Sequence, residues 1–218
     1  MIDIMLPVLK GWKTKPETAP RVLLISGAGE KAFCAGGDIV QIYRAEREGK
    51  GSKDIKSTFF SREYLLDYSL ASMNLTQIAL WNGIVMGGGV GVSVHSPIRV
   101  ATNNTMFAMP ETGIGFFTDV GGSHFLSRVK GNISLGLYLG ITGLRLKAQD
   151  CVKWGIATHF VPQSKFAEMR AALLEKVQMR SDHAEIVGVV DRFAELEATN
   201  LPIEHEKEIN EIFRPDSI

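Results

Sequence analysis

Two glycine-rich segments and one acidic loop carry the residues whose types and spacing could do chemistry. The first segment is Phe33-Cys34-Ala35-Gly36-Gly37-Asp38 and the second is Met86-Gly87-Gly88-Gly89-Val90-Gly91. Glycine inside a helix or strand costs roughly 0.5–1 kcal/mol relative to alanine, so such runs mark backbone that must be approached closely. Each run follows a strand-like stretch and precedes a helix start, where exposed backbone N–H groups favour negative charge. A phosphate, a carboxylate or the oxyanion of a carbonyl under attack would fit. For either loop alone, tight packing is the commoner explanation. For the pair, followed by an acidic loop, function is the better reading.

The acids are Glu111 and Asp119. Glu111 follows Pro110 amid Met106, Phe107, Met109, Ile114, Phe116 and Phe117. Apolar surroundings raise a carboxyl pKa toward neutrality, which suits acid/base work. Asp119, ahead of Val120-Gly121-Gly122, reads from its neighbours alone as a helix N-cap. Glu63, on a helix with Phe59, Phe60, Tyr64 and Leu65, reads from its neighbours alone as part of a solvated face. Cys34 could be a thiol nucleophile, but no histidine is near it in sequence and a small apolar filler is favoured. His95 and His124 read as structural. Lys31 and Arg128 are basic enough for phosphate contacts, and nothing selects them. Other phosphate and nucleophile motifs fail on spacing. A dinucleotide fingerprint from Gly87 needs glycine where Val92 stands, and Gly121-Gly122-Ser123-His124-Phe125 lacks the last glycine of a nucleophile elbow.

Strands must deliver these loops. Arg21–Ser26 and Gln77–Trp81 are short apolar runs that read as buried strands. Arg99–Thr102 and Thr105–Ala108 read as two strands around a turn at Asn103–Asn104, and Thr158–Val161 as a last one. Helices are expected over Met1–Trp12 (weakened by Pro7), from Asp38 or Ile39, over Phe59–Ser72, from the glycine run to about His95, over Asp119–Val129 and Ile133–Leu139, and up to Trp154. Arg44–Lys56 reads as a mobile surface excursion. Lys165–Arg180, Asp182–Ala198 and Pro202–Phe213 give a helical, charge-rich tail. Strands alternating with helices make the class α/β.

Composition bounds the partners. The 218 residues suit one large domain or two small ones. Lys+Arg and Asp+Glu balance at 24 each, which argues against a nucleic-acid binder or a membrane-surface protein. Two cysteines give no disulfide framework and point to a reducing compartment. The histidines show no metal-ligand spacing with them. No apolar run reaches the ~18–20 residues of a membrane span. Neither a secretory signal nor a transit peptide is legible.

Three motifs, Ala32–Ile39, Asn82–Gly91 and Met109–Gly115, together resemble the crotonase (enoyl-CoA hydratase/isomerase) superfamily. Phe116–Gly122 and Ile156–Val161 are similar to one branch of it, the 3-hydroxyisobutyryl-CoA hydrolases. The resemblance covers most of positions 1–162, and the tail from Ser164 matches loosely. It implies a spiral of ββα units with a helical C-terminal tail and an acyl-CoA thioester substrate. It divides the chain into an acyl-CoA-binding core, 1–162, and a helical tail, 163–218. It also implies an oxyanion hole from the N–H groups of Gly37 and Gly88, and substrate contacts at Glu63, Gly88, Glu111 and Asp119. CoA is then part of the substrate, with no separate cofactor and no metal, and the family allows a homo-oligomer. Hydratases of the superfamily carry a glutamate where this chain has Gly91, so hydrolysis is expected over hydration. Glu111 would activate a water or attack directly to give a mixed anhydride, with Asp119 orienting the acyl group through its 3-hydroxyl. In eukaryotes the branch is mitochondrial and serves valine breakdown. Relative to the family, the strand pair ahead of the first helix is expected to be missing and the C-terminal helices cut short. Another crotonase enzyme, a hydratase or isomerase, and a non-catalytic truncated acyl-CoA-binding form are the alternatives.

Overall fold

Short strands in this chain come in pairs, and the two members of each pair go to different sheets. The computed structural model describes residues 1–47, 53–176, 182–195 and 202–217. Strands β1 (Val22–Ser26), β3 (Thr76–Trp81), β5 (Ile98–Ala101) and β8 (His159–Phe160) form one sheet in the order β1-β3-β5-β8, and all its neighbours are parallel. Strands β2 (Ala32–Cys34), β4 (Ile84–Met86), β6 (Met106–Ala108) and β7 (Leu146–Lys147) form the second, β2-β4-β6-β7, with β7 antiparallel. Each turn of the spiral lays one strand in each sheet and then returns through helix or coil. The α/β spiral of ββα units expected above is the observed fold.

The helices return the chain between turns. They are α1 (Ile2–Thr14), α2 (Ile39–Arg47), α3 (Lys53–Ala71), α4 (Gly88–Gly91), α5 (Gly122–Leu126), α6 (Ile133–Thr142), α7 (Gln149–Lys153), α8 (Gln163–Lys176), α9 (His183–Asp191) and α10 (Glu206–Ile212). Asp38 caps α2, its Oδ1 accepting from the Gln41 N–H at 2.9 Å. Helix α1 runs through Pro7. Proline forfeits one backbone bond near the start of the helix, and burial of Leu6 and Leu9 outweighs it. Asp182 and Glu185 close a reciprocal capping box at the start of α9.

Several expectations need correction. The glycine run does not open a helix to His95. Helix α4 stops at Gly91 and turns follow, because Ser93 Oγ donates to the Gly89 carbonyl and accepts from the Trp81 indole N–H. Asp119–Val129 is not one helix but the short α5 and a 3₁₀ turn at Val129–Gly131. The two strands expected around Asn103–Asn104 are present and go to different sheets, β5 joining β3 and β8 while β6 joins β4 and β7. Arg44–Lys56 begins and ends in helix, and its middle, 48–52, lies outside the described residues. So do 177–181 and 196–201, which held the ends of two expected tail helices.

Strand β3 is buried on both faces, which explains its unbroken apolar run. Ala79 and Trp81 turn into the core between the sheets, with Val85, Phe107 and Leu66. Ile78 and Leu80 turn outward and meet Met169 and Leu173 of α8 and Ile186, Val189 and Val190 of α9. None of the described helices is long and apolar enough to cross a membrane. Leu173 is 2 % exposed in that outer cluster. Leu173→Ala is expected to destabilise the protein by about 2–5 kcal/mol, read by chemical denaturation. A change below about 1 kcal/mol would mean that α8 does not close this face of the sheet.

Candidate active site

The two glycine segments meet because the strands before them are neighbours. Strands β2 and β4 pair in parallel, Ala32 opposite Ile84 and Cys34 opposite Val85, so Gly36-Gly37 and Gly87-Gly88 leave the sheet side by side. A Cβ built on Gly36 would lie 3.6 Å from the Gly88 N, and one on Gly88 would lie 3.7 Å from the Gly37 N. A Cβ on Gly89 would overlap the Cys34 carbonyl oxygen. Gly87 holds φ +51°, which a side chain would strain. Gly88 begins α4, so its N–H has no intrahelical acceptor.

A cavity of about 640 Å³ opens in front of this junction, lined among others by Cys34, Gly37, Phe59, Glu63 and Gly88. An ion pair between Arg62 and Asp3 stands at its rim. Helix α3 forms one wall. Its residues Glu63, Leu66, Asp67 and Leu70 are spaced as one helical stripe and all are buried. Glu63 is 7 % exposed, and its Oε1 would overlap a Cβ on Gly88. The solvated-face reading of Glu63 is therefore wrong: the stripe that carries it faces the glycine junction. Burial, reinforced by the negative charge of Asp119, pushes the Glu63 carboxyl up to about 7.

Glu111 approaches the junction from the other side. It starts a 3₁₀ turn after β6, is 6 % exposed, and its Oε1 would lie 3.3 Å from a Cβ on Gly87. Its Oε2 is buried with no hydrogen-bond partner among the described residues. Burial raises its pKa, a backbone hydrogen bond opposes the rise, and Asp119 adds to it. The burial of Glu111 and the direction of its pKa agree with what its apolar neighbours lead one to expect.

Asp119 is not the cap of α5. Gly121 holds that position, and the Asp119 side chain accepts instead from the Tyr64 hydroxyl at 2.8 Å. Burial raises the Asp119 pKa and the Tyr64 hydrogen bond lowers it. Its neighbour Val120 takes φ +45°, which β-branched residues seldom adopt. Gly37, Gly88 and Glu63 line the cavity, whereas Glu111 and Asp119 do not. Glu111 lies against Gly87, and Asp119 reaches the site through Tyr64 and through its charge on Glu63 and Glu111.

Position 91 is closed. A Cβ there would lie 2.6 Å from Asp67 Oδ2 and 2.6 Å from Val120 Cβ. The half-buried Tyr64 and the buried Asp67 are the polar residues that sequence reasoning missed. The available signal was the four-residue spacing of Glu63 and Asp67, which puts both carboxyls on one helix face. The other singled-out residues are placed as follows. Cys34 is a free thiol in the cavity wall. His95 and His124 pair edge to face at 5.7 Å, and Arg128 Nη1 donates to the His124 carbonyl at 2.6 Å. Among the described residues, no group of three or more His, Cys, Asp or Glu could hold a metal ion.

Comparison with known proteins gives consistent matches. A family model described as enoyl-CoA hydratase/isomerase matches residues 1–218. The chain is 46 % identical over 199 residues to a mitochondrial 3-hydroxyisobutyryl-CoA hydrolase of Danio rerio, covering 91 % of this chain and 50 % of that protein. It is 50 % identical over 174 residues to the protein of that name from Homo sapiens, covering 80 % and 43 %. The chain thus spans about half the length of the curated relatives it matches. Among solved structures, a carnitinyl-CoA dehydratase from Mycobacterium thermoresistibile matches at TM-score 0.80 and 32 % identity, over 99 % of this chain and 59 % of that one. An enoyl-CoA hydratase from Rhodobacter sphaeroides matches at TM-score 0.75 and 31 % identity, over 98 % and 58 %.

Two consequences can be measured. Tyr64→Phe removes the hydrogen bond that holds the Asp119 pKa down, so carbon-detected NMR titration should find that pKa higher than in the unaltered protein. An unchanged or lower value contradicts the assigned contact. Gly91→Ala should cost about 1–3 kcal/mol in a denaturant melt, because its Cβ would fall 2.6 Å from both Asp67 Oδ2 and Val120 Cβ, and something must shift. An unaltered midpoint would mean the slot is open.

Proposed function

The chain belongs to the enoyl-CoA hydratase/isomerase family, and from that premise we propose that it hydrolyses 3-hydroxyisobutyryl-CoA to 3-hydroxyisobutyrate and CoA. The observation that carries this reading is the buried Glu111 carboxyl against Gly87, in a chain whose position 91 has no room for a second acid on α4. Addition of water to a double bond calls for two carboxyls on the substrate, whereas attack on a thioester calls for one base and an oxyanion hole. The names of the curated relatives support the same acyl group.

In this reading the thioester oxygen sits between the N–H groups of Gly37 and Gly88, which are fixed before the reaction and stabilise the charge that develops. Glu111 takes the proton of an attacking water and returns it to the departing sulfur of CoA. Alternatively its carboxylate attacks first, giving a mixed anhydride that water then cleaves. Either way the C–S bond breaks and a free thiol appears. Asp119, held by Tyr64, orients the acyl chain through its 3-hydroxyl. Glu63 and Gly88 complete the contacts to the acyl group. CoA enters as part of the substrate, and the chemistry calls for no further cofactor. Residues 1–162 act as the acyl-CoA-binding core and 163–218 as its helical tail, in a protein that can assemble as a homo-oligomer. We place the reaction in valine breakdown in the mitochondrial matrix, the organelle that the relatives' names give.

The test offers the purified protein 3-hydroxyisobutyryl-CoA and crotonyl-CoA and measures free thiol and loss of the double bond. Thiol release from the first ester alone is expected. Hydration of crotonyl-CoA would replace the hydrolase reading with a hydratase one. Glu111→Gln should lower turnover by about 10²–10⁴-fold while leaving ester binding intact. Undiminished turnover in that variant would remove Glu111 from the mechanism.

A further inference from the structure

One buried acid is used neither by the glycine junction nor by the proposed chemistry. Asp67 is 5 % exposed, and among the described residues neither of its carboxyl oxygens has a hydrogen-bond partner. Its Oδ2 lies with Val120 Cβ in the space that a side chain at Gly91 would take. From its own helix it is faced by Glu63 and Tyr64, and from the segment before α5 by Asp119. Helix α4 brings only glycine and valine to it. His95 and His124 share with Asp67 and Tyr64 the lining of a second cavity, of about 500 Å³, behind α3. On α1, Asp3 is turned to Arg62 and away from this slot. The charges acting on Asp67 are thus Glu63 and Asp119, and both are acidic. A buried carboxylate with neither a hydrogen bond nor a cation is strongly disfavoured, and the neutral acid is what such a place accepts.

We propose that Asp67 is a positioning residue of the acyl-CoA site that works as the neutral acid, and that loss of its proton disables the site. This rests on the acyl-CoA reading above. As a neutral group it seats α3 against α4, the helix whose first residue, Gly88, offers its N–H to the substrate. As an anion it adds a negative charge facing Glu63 and Asp119 and is drawn toward water in the second cavity. That motion pulls α3, and Glu63 with it, off Gly88.

The test separates this proposal from the hydrolase reading. In the Glu111→Gln background, chosen to suppress turnover, affinity for 3-hydroxyisobutyryl-CoA is measured by calorimetry from pH 6 to 9.5. The same series is run with Asp67→Asn added, and each protein is referred to its own value at pH 6.5. Burial and the two acids push Asp67 up to about 8. Affinity with Asp67 present should therefore fall about tenfold between pH 7 and pH 9, and in the protein carrying Asp67→Asn it should fall by less than about threefold. Equal falls overturn the proposal, as does failure of the background protein to bind the ester. Melting temperature gives a readout without ligand. A carboxyl whose folded pKa is raised stabilises fully below its unfolded value near 4 and loses that contribution as pH rises through about 8. The unaltered chain should therefore lose melting temperature relative to Asp67→Asn between pH 5 and 8, and parallel curves overturn the proposal. Thiol release by the unaltered chain is scored separately. Its absence removes the hydrolase reading and leaves the binding and melting results to decide Asp67.

Discussion

The close approach of two backbones, Gly36-Gly37 against Gly87–Gly89, is the constraint on which the rest of this structure depends. Parallel pairing of β2 with β4 forces the two loops to leave the same sheet edge together. Side chains at their closest points would collide with backbone, as a Cβ on Gly89 does with the Cys34 carbonyl. Once the side chains are gone, the space in front of the loops belongs to helix α3 and the turn after β6. Both use it to bring in an acid, Glu63 from one side and Glu111 from the other. The absence of side chains on the loops therefore decides where the carboxyls sit.

The acids share one electrostatic situation and resolve it differently. Glu63, Asp67, Glu111 and Asp119 all have raised pKa values, and desolvation leads in each. Asp119 accepts from the Tyr64 hydroxyl and so retains more of its acidity. Glu111 has a backbone hydrogen bond pulling the same way. Glu63 and Asp67 have no such support and carry the two larger shifts, to about 7 and about 8. Groups driven apart in this way can hold different protonation states in one site at one pH.

The sequence made much of this legible, for reasons that also mark where it stopped. Strands β1 and β3 announce themselves as apolar runs bounded by polar or glycine residues. Strands β2, β4 and β7 have only two or three residues each, too few for a periodicity, and two of them merge into glycine motifs. Glu111 was readable because its neighbours in sequence are also its apolar surroundings. Glu63 was not, because the glycine it lies against, Gly88, is distant in the chain. Asp67 needed both the helix stripe and the empty position at Gly91 before it could be seen. The glycines themselves marked where backbones meet, and strand pairing determined which ones do.

The connection between β3 and β4 is only Asn82-Gly83, with Gly83 at φ +88°. Two residues span at most about 7 Å, so this link has almost no slack. Strand β3 lies under α8 and α9, while β4 ends at Gly87-Gly88. The outer helices and the glycine run are therefore attached to two strands joined by the shortest of links. Little slack separates the strand that carries the outer helices from the strand that delivers the glycine run.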